Sequence, residues 1–201
     1  MNETIENKIL QRIRKCGRGS VFFSSDFHAY GSRVSVNKTL ERMTAAGTII
    51  RVARGIYCYP KMDKVYGLGA IPPSDEEIAM ALARKDGAKI VPADAWAQYQ
   101  LGLTQQVPMN YVYLTNGPSR TLVIREGCEI KFRHASPRYF TMKDSLAQMI
   151  TTALKEWKVE NLNEVQISTL RTLVQGHGAF LPEDLKLMPS HVREFIMSLY
   201  Q

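Results

Sequence analysis

The sequence predicts an α+β protein in two parts, and three observations predict it. Segments with apolar residues at the 3.6-residue helical period alternate with short β-branched runs bounded by Gly, Pro or Asn. A stretch over residues 61–73, with Gly67, Gly69 and Pro72-Pro73, reads as a linker between a small first part and a larger second one. Charge divides just as unevenly. Through Lys64 the chain carries twelve Lys and Arg against five Asp and Glu, and the remainder carries fourteen of each. The net +7 of the 201 residues therefore belongs to the first third. Domains at 1–64 and 65–201 follow.

The first part reads in order as helix, strand, two helices and a hairpin. Over residues 4–15, Ile5, Ile9 and Ile13 with Leu10 make one apolar stripe; Asn2 or Thr4 caps its start and Gly17 stops it. Val21-Phe22-Phe23 is a short strand, and Ser24 or Ser25 caps a short helix that holds Phe27 and ends near Gly31. Ser32 then opens a longer helix to Ala46, closed by Gly47, with Val36, Leu40 and Met43 facing inward. Stepping about 100° per residue from Val36 places Val34, Lys38 and Ala45 on the opposite side. Ser35 and Arg42 fall on one flank of that outer face, Asn37 and Glu41 on the other. Residues 48–52 and 56–59 are strands joined by the turn Ala53-Arg54-Gly55, where Gly55 supplies a positive φ. Three helices followed by a basic-tipped hairpin predict a winged helix-turn-helix.

This arrangement points to double-stranded DNA. A localised basic field suits a phosphate backbone, and the helix that would enter a major groove presents Ser32, Arg33, Ser35, Lys38 and Arg42. Arg51 and Arg54 on the hairpin would reach backbone or minor groove. A solvated basic surface, an anionic membrane and a protein-interaction module are the competing readings. Cations on both contact elements favour DNA, bound by a monomer or by a dimer on paired half-sites.

In the second part, Ser74-Asp75-Glu76-Glu77 starts a helix that runs to about Lys85 with its acids in the first turn. Residues 89–92 are a short buried strand, and Asp94 caps a helix through Leu101. Strands over 111–115, 121–125 and 128–134, with turns at 116–119 and 126–127, predict an antiparallel meander with helices packed on it. Helices over 144–157 and 161–175, the latter with Val165, Ile167, Leu170 and Val174 as its apolar positions, and a last one from Ser190 complete the chain. Gly176-His177-Gly178 reads as the turn between two of them.

No catalytic or metal site is expected. Gly31-Ser32 matches the Gly-Ser start of nucleotidyltransferases, but no paired Asp/Glu ligands follow; capping explains it. The four histidines have no metal-ligand spacing, and there is no GxSxG elbow or P-loop. Three scattered cysteines, Cys16, Cys58 and Cys128, exclude a disulfide framework and read as small, partly buried apolar residues. No cofactor is implied. No run approaches the roughly 20 apolar residues of a membrane span, and the polar, acidic N-terminus is unlike a signal peptide, so a cytoplasmic protein is expected. Arg120, Arg133 and Arg138, near strand ends with His134 and Ser136, are candidates for a partner-binding surface; ordinary solvated strand ends are the competing reading.

The chain also resembles the AbiEi-type antitoxins of bacterial abortive-infection toxin–antitoxin systems. The resemblance rests on Phe23-Ser24-Ser25-Asp26-Phe27, Gly31-Ser32-Arg33, Leu40-Glu41-Arg42-Met43 and Ile50-Arg51-Val52-Ala53-Arg54-Gly55-Ile56-Tyr57. It continues through Gln106-Val107-Pro108, the segment from Val112 to Arg120 and Phe132-Arg133-His134-Ala135-Ser136-Pro137, to about Phe140. It implies a cytosolic repressor that binds inverted repeats in its own promoter, and a C-terminal domain that counteracts a nucleotidyltransferase-like toxin. A ligand-responsive regulator without a toxin partner is the alternative. A nuclease is a third, and the lack of clustered carboxylates argues against it.

Overall fold

The computed structural model describes residues 3–63, 65–155, 157 and 159–201, which divide into two compact units, Met1–Leu82 and Ala83–Gln201. The chain is α+β, with helices and small sheets in both units.

In the first unit, α1 (Ile5–Cys16) starts at Thr4, whose Oγ1 accepts the Asn7 N–H at 3.3 Å, and stops at Gly17, φ 85°. The alternative cap, Asn2, lies outside the described residues. After β1 (Val21–Phe23) comes a 3₁₀ helix, Ser24–Tyr30. Neither Ser24 nor Ser25 caps it: the carboxylate of Asp26 accepts the Phe23 N–H at 2.8 Å instead. Helix α2 (Arg33–Ala45) follows, then β2 (Ile50–Ala53) and β3 (Ile56–Cys58). Strand β3 lies between β1 and β2, antiparallel to both, so the hairpin gains a third strand. Ile9, Ile13, Phe22, Phe27, Val36, Leu40, Met43, Ile49 and Tyr57 form one buried core. Burying each such side chain stabilises the unit by roughly 1.5–3 kcal/mol, before the loss of chain entropy is counted.

The expected linker is ordered structure. Residues 61–73 contain a hairpin of β4 (Lys61–Asp63) and β5 (Gly69–Ile71), with Met62 opposite Ala70. Its turn is organised by Asp63, whose carboxylate accepts the N–H groups of Val65, Tyr66 and Leu68 at 2.9–3.1 Å. These donors, Leu68 first, hold the Asp63 carboxyl below its ordinary pKa. Gly and Pro punctuate a tight turn as readily as a linker, and the acceptor that decides between them precedes the glycines. Helix α3 (Asp75–Lys85) opens on a reciprocal cap: Ser74 Oγ accepts from Glu77 N at 3.1 Å, and Glu77 Oε2 from Ser74 N at 2.9 Å. The first unit thus extends beyond the boundary anticipated after residue 64.

The second unit holds β6 (Ile90–Pro92), α4 (Asp94–Gln100), β7 (Asn110–Thr115), β8 (Arg120–Arg125) and β9 (Cys128–His134). The sheet order β6-β7-β9-β8 is not a meander. Strand β9 inserts between β7 and β8, parallel to β7 and antiparallel to β8, while β6 and β7 are antiparallel. Burial supplies the reason: Cys128, Ile130 and Phe132 of β9 are buried, whereas β8 alternates half-buried and exposed residues as an edge strand does. The segment 116–119 therefore arches over the end of β9 and is tied to it. Ser119 Oγ accepts the His134 N–H at 2.9 Å, and Thr115 O accepts the Ala135 N–H at 2.9 Å.

The remaining chain is helical: α5 (Arg138–Thr141), α6 (Ser145–Leu154), a 3₁₀ turn Val159–Asn161, α7 (Glu164–His177), α8 (Pro182–Leu187) and α9 (Ser190–Ser198). Asp144 caps α6 by accepting the Ala147 N–H at 2.9 Å. Gly176 and His177 continue α7, which ends at Gly178, φ 90°, so the break falls later than the glycines suggested. Val165 points to solvent instead of the core. Asp184 of α8, 1% exposed, accepts the backbone N–H groups of Lys143 (3.0 Å) and Asp144 (2.9 Å) and so docks α8 onto the start of α6. Asp184→Ala strands both donors and is expected to destabilise the protein by about 3 kcal/mol. Asp184→Asn, which keeps one acceptor, costs less. Urea unfolding followed by circular dichroism measures both; equal midpoints for wild type and Asp184→Ala contradict this role.

Candidate nucleic-acid interface

Two elements of the first unit carry the residues that the sequence singled out. At the start of α2, Ser32 is the N-cap: its Oγ accepts the Ser35 N–H at 3.2 Å and lies 2.8 Å from Ser35 Oγ. Both serines are thereby committed to holding the helix start, though both remain exposed. With Val36, Thr39, Leu40 and Met43 buried, Arg33, Val34 and Lys38 are directed outward. Arg33 and Lys38 have no ion-pair partner among the described residues. Arg42 differs: its Nη2 sits 3.0 Å from Glu6 Oε2 and links α2 to α1. The two side chains are 71% and 42% exposed, so the pair contributes no more than about 1 kcal/mol. Arg42 can exchange Glu6 for a phosphate at little cost.

On the hairpin, Arg51 is exposed on β2 opposite Tyr57 of β3, and Arg54 is exposed at the tip. Gly55 adopts φ 75°, as the tight turn demands. Its carbonyl accepts the Ser24 N–H at 3.0 Å, anchoring the tip to the start of the 3₁₀ helix. Burial pushes the Tyr57 phenol up in pKa, and the charge of Arg51 opposes that shift. Neither arginine has a carboxylate partner among the described residues.

The structure adds cations that the sequence reading passed over. Lys8, Arg12 and Lys15 share one flank of α1 and line a groove of about 470 Å³ with Glu3, Gln11 and Tyr30. Their i, i+4, i+7 spacing was legible; attention to the apolar stripe of the same helix hid it. Arg18 is occupied differently, stacking on Tyr59 at 4.6 Å and donating to the Pro60 carbonyl at 2.9 Å.

The three candidate arginines of the second unit, Arg120, Arg133 and Arg138, are all engaged within it. Arg120 pairs with Asp86, and its guanidinium lies 5.2 Å from the Phe132 ring centroid. Arg133 Nη2 donates to both carboxylate oxygens of Asp94, at 2.7 and 2.6 Å. Arg138 donates to the Tyr139 hydroxyl at 3.0 Å and lies over that ring. Asp94 adopts φ 52°, and the α4 N-cap is Ala93, without a side-chain bond. The expected capping role of Asp94 is thus replaced by the pairing with Arg133. Arg120 and Arg133 thus pair with carboxylates at the sheet, and Arg138 stays within α5 on its neighbour Tyr139.

Cysteine placement separates the three thiols. Cys58 and Cys128 are buried and Cys16 is exposed, contrary to the partial burial expected of it. Burial first, and Glu77 next, push the Cys58 thiol up to about 11, so it stays protonated at neutral pH and is a poor ligand or nucleophile. Among the described residues no group of three or more His, Cys, Asp or Glu side chains is placed to hold a metal ion. Among them, too, no helix is long and apolar enough to cross a membrane. Cys16 is expected to react with a thiol probe in the native protein while Cys58 and Cys128 react only after denaturation. Mass mapping of the labelled peptides checks this, and rapid native labelling of Cys58 would contradict its burial.

Fold and surface together define an α+β protein whose first unit presents a helix and a hairpin with exposed cations and whose second unit holds a mixed sheet packed with helices. The chain belongs to DUF6088, a family of unknown function whose model matches residues 8–179 and so reaches from α1 to just beyond α7. No curated protein matches the sequence.

Proposed function

We propose that this protein is a cytoplasmic, non-catalytic winged-helix repressor that binds double-stranded DNA at its own promoter. The observation that carries the reading is the set of exposed cations on α2 and the hairpin, Arg33, Lys38, Arg51 and Arg54, that have no carboxylate partner among the described residues. The order α1, β1, 3₁₀ helix, α2, β2, β3 supports it, because it is the order of a winged helix-turn-helix. In this reading α2 enters the major groove with Arg33 and Lys38 near base edges. Arg51 and Arg54 hold the flanking backbone. Bound at inverted repeats, as a monomer or a dimer, the protein competes with polymerase for the promoter. The resemblance to AbiEi-type antitoxins extends the proposal: the repressor is the antitoxin of an abortive-infection operon and counteracts a nucleotidyltransferase-like toxin. That counteraction is not assigned to Arg120, Arg133 and Arg138, which are paired internally.

The reading is tested by fluorescence anisotropy on DNA from upstream of the gene, titrated with salt. Arg33→Ala is expected to weaken the preferred sequence by about 1–3 kcal/mol and to relax preference at one position. Arg54→Ala is expected to weaken all sequences alike and to reduce the salt slope by about 0.9. Wild-type binding by both variants, or no salt-sensitive binding by the wild type, overturns the assignment. For the antitoxin half, the neighbouring open reading frame is expressed alone and with this chain. Growth arrest relieved by co-expression supports it; no arrest favours a regulator without a toxin.

A further inference from the structure

The flank of α1 that carries Lys8, Arg12 and Lys15 is unused by the contacts proposed for α2 and the hairpin. Positions i, i+4 and i+7 align three cations over about 10 Å of helix. Tyr30, the last residue of the 3₁₀ helix, closes the groove they line, and it lies three residues before Arg33. The groove therefore abuts the start of α2, and Gly31 packs there so closely against Ile5 that a Cβ would stand 2.7 Å from its Cδ1. Glu3 is the acid of the groove, and its carboxylate already accepts from Gln11 Nε2. Lys8, Arg12 and Lys15 have no ion-pair partner among the described residues. Arg12 is positioned by Tyr30 and lies 6.0 Å from the Phe27 ring centroid. The hydrogen bond to Tyr30, foremost among its neighbours, raises the Arg12 pKa, and the charge of Asp26 adds to the shift more weakly.

We infer that the α1 groove is a second DNA-backbone site, in which Lys8, Arg12 and Lys15 track the phosphates of the strand bordering the base pairs read by α2. The inference rests on the DNA-binding reading and adds to it a contact surface on a different helix. Phosphodiester is the ligand that the chemistry selects. The site offers several spaced positive charges and two hydrogen-bonding partners, Gln11 and Tyr30, without an enclosed apolar pocket for a small molecule. Along the duplex axis each strand presents one phosphate per about 3.4 Å, so a stripe about 10 Å long running with that axis spans about three of them. Such contacts carry no sequence information; they fix the register of the module on the duplex.

The test uses the full chain and compares salt slopes for promoter DNA and for a scrambled duplex. Lys8→Gln/Arg12→Gln/Lys15→Gln is expected to flatten the slope of log affinity against log salt by about 2.7 on both duplexes. The fall in affinity between about 50 and 200 mM salt then becomes about 40-fold smaller than for the wild type. Because Arg12 also bonds to Tyr30, Lys8→Gln/Lys15→Gln is measured in parallel. It leaves that bond intact and is expected to flatten the slope by about 1.8. A wild-type slope in the double variant, with Arg33→Ala and Arg54→Ala still weakened, overturns the α1 site and spares the α2 reading. An effect confined to promoter DNA overturns the phosphate assignment. Absence of any salt-sensitive binding by the wild type overturns both.

Discussion

One-sided burial governs the first unit. Helices α1 and α2 each turn one apolar face inward, and Ile9 and Ile13 of the first and Val36, Leu40 and Met43 of the second meet Phe22 and Phe27 in one core. Once Val36, Leu40 and Met43 point inward, Arg33 and Lys38 have nowhere to go but out. The same holds for α1, where burial of Ile9 and Ile13 turns Lys8, Arg12 and Lys15 to one flank and Glu6 towards Arg42 on another. The cationic surface is thus a consequence of the core, fixed to rigid elements by it. Electrostatic steering of a polyanion needs charges held in this way.

The second unit treats its arginines differently. In its sheet, Arg120, Lys131 and Arg133 each meet a carboxylate, from Asp86, Glu129 and Asp94. Such pairs add little stability when exposed, but they cancel the field that would draw an anionic ligand. Arg133 does more, because its Nη2 is shared between both carboxylate oxygens of Asp94 and so ties the start of α4 to β9. Sequence position alone cannot distinguish these arginines from Arg33 or Arg54; only the fold shows which carboxylates lie within reach.

What was legible in the sequence was local. The stripe of Ile5, Ile9 and Ile13, the Ser32 cap and the Arg54-Gly55 turn each follow from a few neighbouring residues, and all are present. Failures arise where the deciding partner is distant or shares its signal with another element. The 116–119 turn reads as a hairpin, yet Ser119 and Thr115 serve the end of β9, which sequence proximity cannot reveal. Asp63 turns a presumed linker into a hairpin through three backbone donors. Asp94 reads as a cap but is claimed by Arg133, 39 residues later. The interface follows the same rule: exposure of Arg33, Lys38 and Arg54 follows from periodicity, whereas the Arg42–Glu6 pair, with its 36-residue separation, does not.

Net charge is a weaker guide to the interface than the raw sequence suggests. Taken to Leu82, which falls within α3, the first unit carries twelve Lys and Arg against eight Asp and Glu; the second carries fourteen against eleven. The two units are then almost equally basic, and total charge no longer singles out either. Placement does. Of the added acids, Glu77 is taken up by Ser74 and Lys61, a residue outside α2 and the β2–β3 hairpin. Among the acids already present, Asp26 caps the 3₁₀ helix and Asp63 organises its own turn. Among the described residues, Glu6 is the acid that pairs with a cation of α2, Arg42. Over residues 33–58, which hold α2 and the β2–β3 hairpin, five Lys and Arg stand against one acid, Glu41, so this segment is locally more basic than the unit as a whole.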